Sequence, residues 1–225
     1  MMNFRYEIGI DEAGRGPLAG PVAVGLVLVP AGFDWSLLPG VGDSKKVSEK
    51  NREWIYKEAL QLAKAGKLWC TVEMASAKAI DKKGIAVVIR SCIDKGLQEL
   101  SSRQDLELDW GTVAVKLDGS LRAPEYCLQQ ETIIKGDAKE KVIGLASILA
   151  KVTRDAYMCR LANKPAYASY QLAKHKGYGT ALHRRTITQN GLSPEHRASY
   201  CKNIKLCYIS NPLSGVTKEE RGKNA

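Results

Sequence analysis

The chain has 225 residues, of which 44% are hydrophobic and 26% charged, a balance typical of a globular protein with one sizeable core. No apolar run approaches the roughly 20 residues of a membrane-spanning helix, and the first residues lack the apolar stretch of a secretory signal, so we expect a cytoplasmic protein. The net charge of +10 favours polyanionic partners.

Two apolar segments near the start predict neighbouring strands. Apolar residues alternate with other types over 6–10, and 22–29 is apolar throughout, as in a fully buried strand. A loop rich in Gly and Pro follows over 30–43. Ser48 is suited to cap a helix of about five turns that Gly66 ends.

The middle of the chain alternates strands and helices. Residues 68–74 predict a strand, and apolar residues at helical spacing over 85–97 predict an amphipathic helix. Residues 113–117 predict another strand, which ends at Asp118, and a long helix is predicted over 138–161. This order predicts an α/β fold, with a mixed central sheet flanked by helices.

The last third of the chain is basic and rich in turns. Lys and Arg are concentrated over 174–185. We expect one domain over residues 1–209, which includes a basic, helical C-terminal part from about residue 164. We expect residues 210–225, which are polar, to form a disordered tail.

Two adjacent carboxylates, Asp11 and Glu12, follow the first predicted strand and begin a glycine-rich turn. Paired acids at the end of a buried strand are costly unless a positive charge neutralises them. In a chain this basic, a divalent metal with a phosphate backbone beside it is the simplest explanation.

Two further acids extend this pattern. Asp118 stands where a strand meets a glycine, as Asp11 stands at the end of its strand, although Asp-Gly alone indicates only a turn. Asp155 lies on the apolar stripe of the long predicted helix, and the alternative for it is a salt bridge to Arg154 or Arg160. A convergent site explains all of these acids. Three or four oxygen ligands suit Mg²⁺ or Mn²⁺, and the six cysteines lack the C-x-x-C spacing of structural zinc sites.

Seven motifs of the chain resemble those of the ribonuclease HII family, the type 2 ribonucleases H. They occur in the family's order between residue 6 and about residue 200, and as a set they are very specific. The motifs span 11–22, 43–46, 117–119, 135–139, 146–155, 175–180 and 196–200.

The resemblance implies an RNase H-like fold and metal-dependent hydrolysis of RNA in RNA/DNA hybrids. It also implies cutting at ribonucleotides embedded in duplex DNA. The family's four catalytic, metal-binding acids fall on Asp11, Glu12, Asp118 and Asp155, which would hold Mg²⁺ or Mn²⁺, with two ions in the substrate complex. We expect a monomer.

The resemblance places a substrate-binding loop on Gly14, Arg15 and Gly16. Two glycines bring backbone N–H and C=O groups close to a ligand, and a 2′-hydroxyl is both donor and acceptor. Arg15 is suited to hold a phosphate. Lys45 and Lys46 are further candidates for phosphate contacts, the alternative being ordinary surface lysines.

The family's ribose-contacting tyrosine falls on Tyr170, by its distance before the His-Lys-Gly-Tyr sequence. Residues 167–172 depart there from the usual Tyr-Pro-x-Tyr-Gly-Phe. Tyr167 is therefore the alternative.

Histidine catalysis is disfavoured, because His175, His183 and His196 have no Ser or Cys partner at a recognisable spacing. Two metal ions about 4 Å apart can generate the nucleophile and stabilise the leaving 3′-oxygen without a protein base. We therefore expect products with a 5′-phosphate and a 3′-hydroxyl.

Three other functions explain the chain less well. Ribonuclease HIII resembles this family but usually has an extra N-terminal domain and a lysine in place of Arg15, and the catalytic motif here begins at residue 11. A catalytically silent nucleic-acid-binding protein would not need all four acids. A glycosidase with two carboxylates explains neither the fourth acid nor the positive charge.

Overall fold

A computed structural model describes residues 4–42, 47–106 and 108–205. The predictions for Lys45, Lys46 and the tail over 210–225 lie outside the described residues. One five-stranded sheet has the order β3-β2-β1-β4-β5. Its strands are β1 (Tyr6–Ala13), β2 (Val22–Pro30), β3 (Trp69–Ala75), β4 (Val113–Asp118) and β5 (Gln129–Ile133).

The sheet is mixed, as predicted. Strand β2 pairs antiparallel with both β1 and β3, whereas β4 is parallel to β1 and β5 is parallel to β4. Ile10 lies opposite Leu117, and Asp118 lies opposite Ile133. The carboxyl ends of β1, β4 and β5 therefore meet at one edge of the sheet.

Helices cover both faces of the sheet. One face packs against α3, and the other packs against α1 and α5. Gly25 of β2 permits the close approach of α5, because a Cβ atom there would collide with the backbone of Ala146. The helices are α1 (Glu49–Lys64), α2 (Ala77–Lys83), α3 (Ile85–Ser101), α4 (Gly136–Lys139), α5 (Lys141–Ala162), α6 (Leu172–His175) and α7 (Ala181–Asn190).

Most predicted elements are confirmed, and Ser48 caps α1 by accepting the Asn51 N–H at 3.2 Å. The helix predicted over 138–161 is instead two helices, because Glu140 is extended and separates α4 from α5. The sequence analysis did not predict β5 or α2. No helix in the described part of the chain is long and apolar enough to cross a membrane.

Candidate active site

Four acidic residues line one cavity of about 570 Å³. Asp11 and Glu12 come from the end of β1, Asp118 from the end of β4, and Asp137 from the first turn after β5. In open sheets with parallel strands, ligands bind outside the carboxyl ends of those strands. The topology thus brings together three of the four predicted acids and adds Asp137.

Asp11 is only 5% exposed. Its Oδ1 accepts the backbone N–H of Glu12 at 2.7 Å, and the Ser147 hydroxyl of α5 hydrogen-bonds to the same carboxylate. Burial, reinforced by the charges of Asp118 and Glu12, raises the pKa of Asp11 to about 8. Burial also raises the pKa of Glu12, which Arg15 partly opposes across a 3.0 Å ion pair. Ionising this cluster costs free energy that a bound cation would offset.

The raised pKa predicts that Asp11→Asn stabilises the metal-free protein. A carboxyl group whose pKa is higher in the folded state opposes folding once it has to ionise. Its contribution to the free energy of unfolding therefore falls as the pH rises from about 4 to about 8. We expect urea unfolding in a chelator to show a more stable variant at pH 8, by a few kcal/mol, and a difference that shrinks toward pH 4. A variant that is less stable at pH 8 would contradict the environment described for Asp11.

Asp118 and Asp137 are linked through the start of α4. The Gly136 N–H donates to Asp118 Oδ1 at 2.7 Å, and Asp137 follows in the same short helix, with only 8% of its surface exposed. The sequence analysis gave Asp137 no role, although it lies in the 135–139 motif. The strand before Asp137, β5, was not predicted, because its polar sequence Gln-Gln-Glu-Thr-Ile shows no apolar alternation.

Asp155 does not line this cavity. Its Oδ2 lies 2.9 Å from Lys151 Nζ, and Arg154 Nη1 is 3.9 Å from its Oδ1. Its contacts are therefore those of a salt bridge, although the nearest partner is Lys151 and not Arg154 or Arg160. The reason is position along α5. Ser147 and Lys151 reach the cavity, whereas Asp155 is about 12 Å farther along the helix axis than Ser147, at 1.5 Å per residue.

The donor set fits a hard divalent cation. The cavity offers carboxylate oxygens, and neither His nor Cys is among the described residues that line it. Mg²⁺ and Mn²⁺ prefer such a donor set, and zinc does not. Within the described residues, no three acidic, His or Cys side chains are already placed to hold one ion together.

Arg197, which is fully buried, holds the glycine loop from behind. It donates to the carbonyl oxygens of Gly14 at 2.7 Å, Arg15 at 2.9 Å and Gly20 at 2.9 Å. The backbone N–H groups of Arg15 and Gly16 have no hydrogen-bond partner among the described residues. The loop therefore turns these carbonyls toward buried Arg197, while Gly14, Arg15 and Gly16 line the cavity with two backbone N–H donors still unused.

Arg154 supports the same loop and is also fully buried. It donates to the carbonyl oxygens of Pro21 at 2.8 Å and Ala19 at 3.2 Å. Gly14 has a φ of +90°, and a Cβ atom there would collide with the Arg154 side chain. Burial, with Arg154 beside it, lowers the pKa of Arg197 to about 10. Two buried cations behind the loop make the cavity more attractive to a phosphate.

Tyr178, and not Tyr170, lines the cavity. Tyr170 is 5% exposed, its hydroxyl donates to the Gly191 carbonyl at 3.1 Å, and its ring packs on His196. Tyr167 packs against the same small core as Tyr170. Tyr178 is 42% exposed. The sequence analysis included it in the 175–180 motif but gave it no role.

The three histidines form a buried stack behind Tyr178. His183 Nδ1 is 3.0 Å from the Tyr178 carbonyl, which can only accept, so this nitrogen is protonated. His183 Nε2 therefore accepts from His196 Nε2 at 3.1 Å, and His196 Nδ1 accepts the Ser193 N–H at 2.9 Å. The stack of His175 on His183 completes the set. These histidines are neutral supports of the tyrosine and do not line the cavity.

Acidification is expected to weaken this histidine stack. Burial lowers the pKa values of His183 and His196 to about 4, so the unfolded chain binds protons first as the pH falls from about 6.5, and stability is lost. In the Asp11→Asn background, which removes the opposing effect of that carboxyl, we expect unfolding free energy to drop by about 1–2 kcal/mol per histidine between pH 7 and pH 5. His196→Gln is expected to reduce the drop. Equal stability at both pH values would contradict the assignment.

Comparison with known proteins agrees with this geometry. A model of the family described as ribonuclease HII matches residues 8–203. A ribonuclease HII of Dehalococcoides mccartyi is 39% identical over 193 residues, which cover 85% of this chain and 84% of that protein. A ribonuclease HII of Ruminiclostridium cellulolyticum is 40% identical over 202 residues, which cover 89% of this chain and 72% of that protein.

Solved structures confirm the RNase H-like fold. The ribonuclease H2 of Pyrococcus horikoshii OT3 matches with a TM-score of 0.65 at 24% identity, over 89% of this chain and 97% of that one. The RNase HII in the PCNA:RNase HII complex of Archaeoglobus fulgidus matches with a TM-score of 0.63 at 25% identity, over 85% of this chain and 93% of that one. The chain therefore belongs to the ribonuclease HII family and is a type 2 ribonuclease H, an endonuclease.

Proposed function

We propose that this enzyme hydrolyses the RNA strand of RNA/DNA hybrids and also cuts at single ribonucleotides embedded in duplex DNA. The products would carry a 5′-phosphate and a 3′-hydroxyl. The observation that carries this proposal is the meeting of four carboxylates after three parallel strands, beside a glycine loop that lines the same cavity.

Asp11, Glu12, Asp118 and Asp137 are proposed to hold the metal, and Asp11 would have the central place among them because it lies near the end of the central strand of the sheet. Mg²⁺ or Mn²⁺ bound there would supply Lewis-acid stabilisation of the charge that develops on the phosphodiester. The protein contributes the placement of the carboxylates, through the Ser147 hydroxyl on Asp11 and the Gly136 N–H on Asp118.

The glycine loop is proposed to recognise the 2′-hydroxyl. The N–H groups of Arg15 and Gly16 can donate to the hydroxyl oxygen, and a deoxyribose offers no such acceptor. A donor left unpaired in a desolvated site costs about 1–3 kcal/mol, which accounts for discrimination between the two sugars. Arg197 keeps the loop in the required conformation by holding its carbonyl oxygens.

The direct test is cleavage of a DNA duplex that contains one ribonucleotide, with Mg²⁺, with Mn²⁺ or with a chelator. We expect one cut beside the ribonucleotide with either metal, a 5′-phosphate and 3′-hydroxyl at the nick, and no cut in the chelator. An all-deoxy duplex is the control and is expected to stay intact. Cutting without metal, or equal cutting of the control, would overturn the proposal.

Tyr178→Ala is expected to reduce cutting at an isolated ribonucleotide by roughly 10- to 100-fold, because stacking of a ring on a base contributes about 1–3 kcal/mol. Cutting within a long hybrid should fall less, since neighbouring contacts compensate. Single-turnover rates on the two substrates measure the difference.

Tyr170→Phe and Tyr167→Ala are the matched controls for this prediction. Tyr170→Phe removes only the hydroxyl that donates to the Gly191 carbonyl, and we expect a near-normal cutting rate with about 1 kcal/mol less stability. The role would return to Tyr170 or Tyr167 if one of these controls lost selective cutting while Tyr178→Ala did not.

A further inference from the structure

A second, smaller cavity adjoins the candidate active site. It has a volume of about 140 Å³, and Arg15, Arg90 and Arg122 line it above an apolar floor that includes Ile89 and Leu121. Arg15 lines both cavities, so the two cavities adjoin at this residue.

Three elements bring these arginines together. Arg15 follows β1 in the glycine loop, Arg122 follows β4, and Arg90 lies on α3. Helix α3 covers one face of the sheet and α5 covers the other. The small cavity therefore lies on the α3 side of the sheet edge at which the acidic residues meet.

The charges around this cavity are not balanced. No acidic residue lines it, and neither Arg90 nor Arg122 makes a side-chain hydrogen bond or ion pair within the part of the chain that the structure describes. Asp94 lies near both arginines along a separate outer cavity, but its oxygens accept from Gln98 and Tyr126. Only Arg15 has a partner, Glu12 of the active site.

Arg90 and Arg122 are exposed cations with no carboxylate partner on the wall that they share with Arg15, so an anion bound there would meet charge-assisted hydrogen-bond donors that no acid already occupies. At about 30 Å³ for each water-sized group, the cavity has room for about five such groups, as many as a phosphate has heavy atoms.

We propose that Arg15, Arg90 and Arg122 form a second phosphate subsite, which binds a backbone phosphate of the nucleic acid near the one that is cut. This inference rests on the proposed function, because it requires a nucleic-acid duplex in the active site. Because Arg15 is common to both cavities, the phosphate lies within a few nucleotides of the ribonucleotide. The bound strand then crosses the sheet edge toward α3.

The first test is the salt dependence of binding. The affinity for a duplex with one ribonucleotide is measured for two proteins. Both carry Asp118→Asn, and one of them also carries Arg90→Ala and Arg122→Ala. Losing one neutralised phosphate is expected to reduce the slope of log affinity against log salt by about 1, with roughly 10-fold weaker binding at low salt.

The matched control is Lys64→Ala with Arg103→Ala, which removes the same charge at the opposite end of the sheet. Lys64 ends α1 shortly before β3 begins, and Arg103 pairs with Asp105, which accepts from Trp69 at the start of β3. The control is expected to keep the wild-type slope. Equal reductions in both double variants would show general charge attraction only and would overturn the subsite.

A second test locates the phosphate. Each backbone phosphate in turn is replaced by an uncharged methylphosphonate, on either strand of the duplex. We expect one position at which the replacement weakens binding by the protein that keeps Arg90 and Arg122 but not by the Arg90→Ala/Arg122→Ala protein. The strand that contains this position identifies the bound backbone. If the loss of affinity from the methylphosphonate added to the loss from the arginine substitutions at every position, the subsite would be overturned. If the wild-type enzyme cut no ribonucleotide-containing duplex at all, the proposed function would fail as well.

Discussion

Asp118→Asn is expected to lower the single-turnover cleavage rate by at least about 1,000-fold while the duplex remains bound. The change removes one charged oxygen donor from the cluster at the strand ends, and a cation held there would stabilise the charge on the reacting phosphate. Binding survives because it depends on arginine and lysine contacts to the backbone. Cleavage rates and duplex affinity, measured on the same preparations, separate the two effects.

The asparagine variant is a clean test because its fold should persist. The amide oxygen of asparagine can still accept the Gly136 N–H that Asp118 Oδ1 accepts at 2.7 Å, so the start of α4 keeps its anchor. Near-normal thermal unfolding with lost cleavage is the expected pair of results. A wild-type cleavage rate would remove Asp118 from the proposed metal centre.

The strand-end acids were predictable from the sequence because two simple signals coincide. An apolar run marks a buried strand, and a carboxylate near its end, with a glycine in the turn that follows, marks a polar site where the strand ends. Both Asp11 and Asp118 show this pattern. Because β1 and β4 are parallel neighbours, the two ends are adjacent in space, as the idea of a convergent site requires.

The other site residues depend on features that carry no periodic signal. Tyr170 and Tyr178 both lie in a segment of short helices and turns, where spacing does not tell a buried ring from an exposed one. Residues 171 and 176 both adopt left-handed backbone conformations, one on each side of the short helix α6 between the two tyrosines. Only the folded chain shows that Tyr170 faces the small core and Tyr178 the cavity.

Helical spacing placed Asp155 on the apolar stripe of the long helix but said nothing about its distance from the sheet edge. Lys151, one turn earlier, reaches the cavity and pairs with Asp155. We therefore infer that Asp155 acts on the site only through Lys151. Asp137, after an edge strand with no apolar pattern, reaches the cavity directly.

Asp137→Asn and Asp155→Asn are expected to separate these two roles. Asp137→Asn removes a carboxylate from the cavity, so the cleavage rate should fall by about 100-fold or more, and more Mg²⁺ or Mn²⁺ should be needed for half-maximal rate. Asp155→Asn breaks a partly exposed ion pair, whose contribution to stability is about 1 kcal/mol or less. We expect it to change the rate by less than about 10-fold, through the placement of Lys151.

The metal dependence makes the comparison decisive, because a change in helix stability alone would not alter it. For Asp155→Asn the metal concentration at half-maximal rate should match the wild type, and for Asp137→Asn it should rise. If Asp155→Asn instead raised the metal requirement and lost the larger share of activity, the fourth ligand would be Asp155, as the resemblance first implied. The end of α5 would then have to move toward the strand ends when substrate and metal bind.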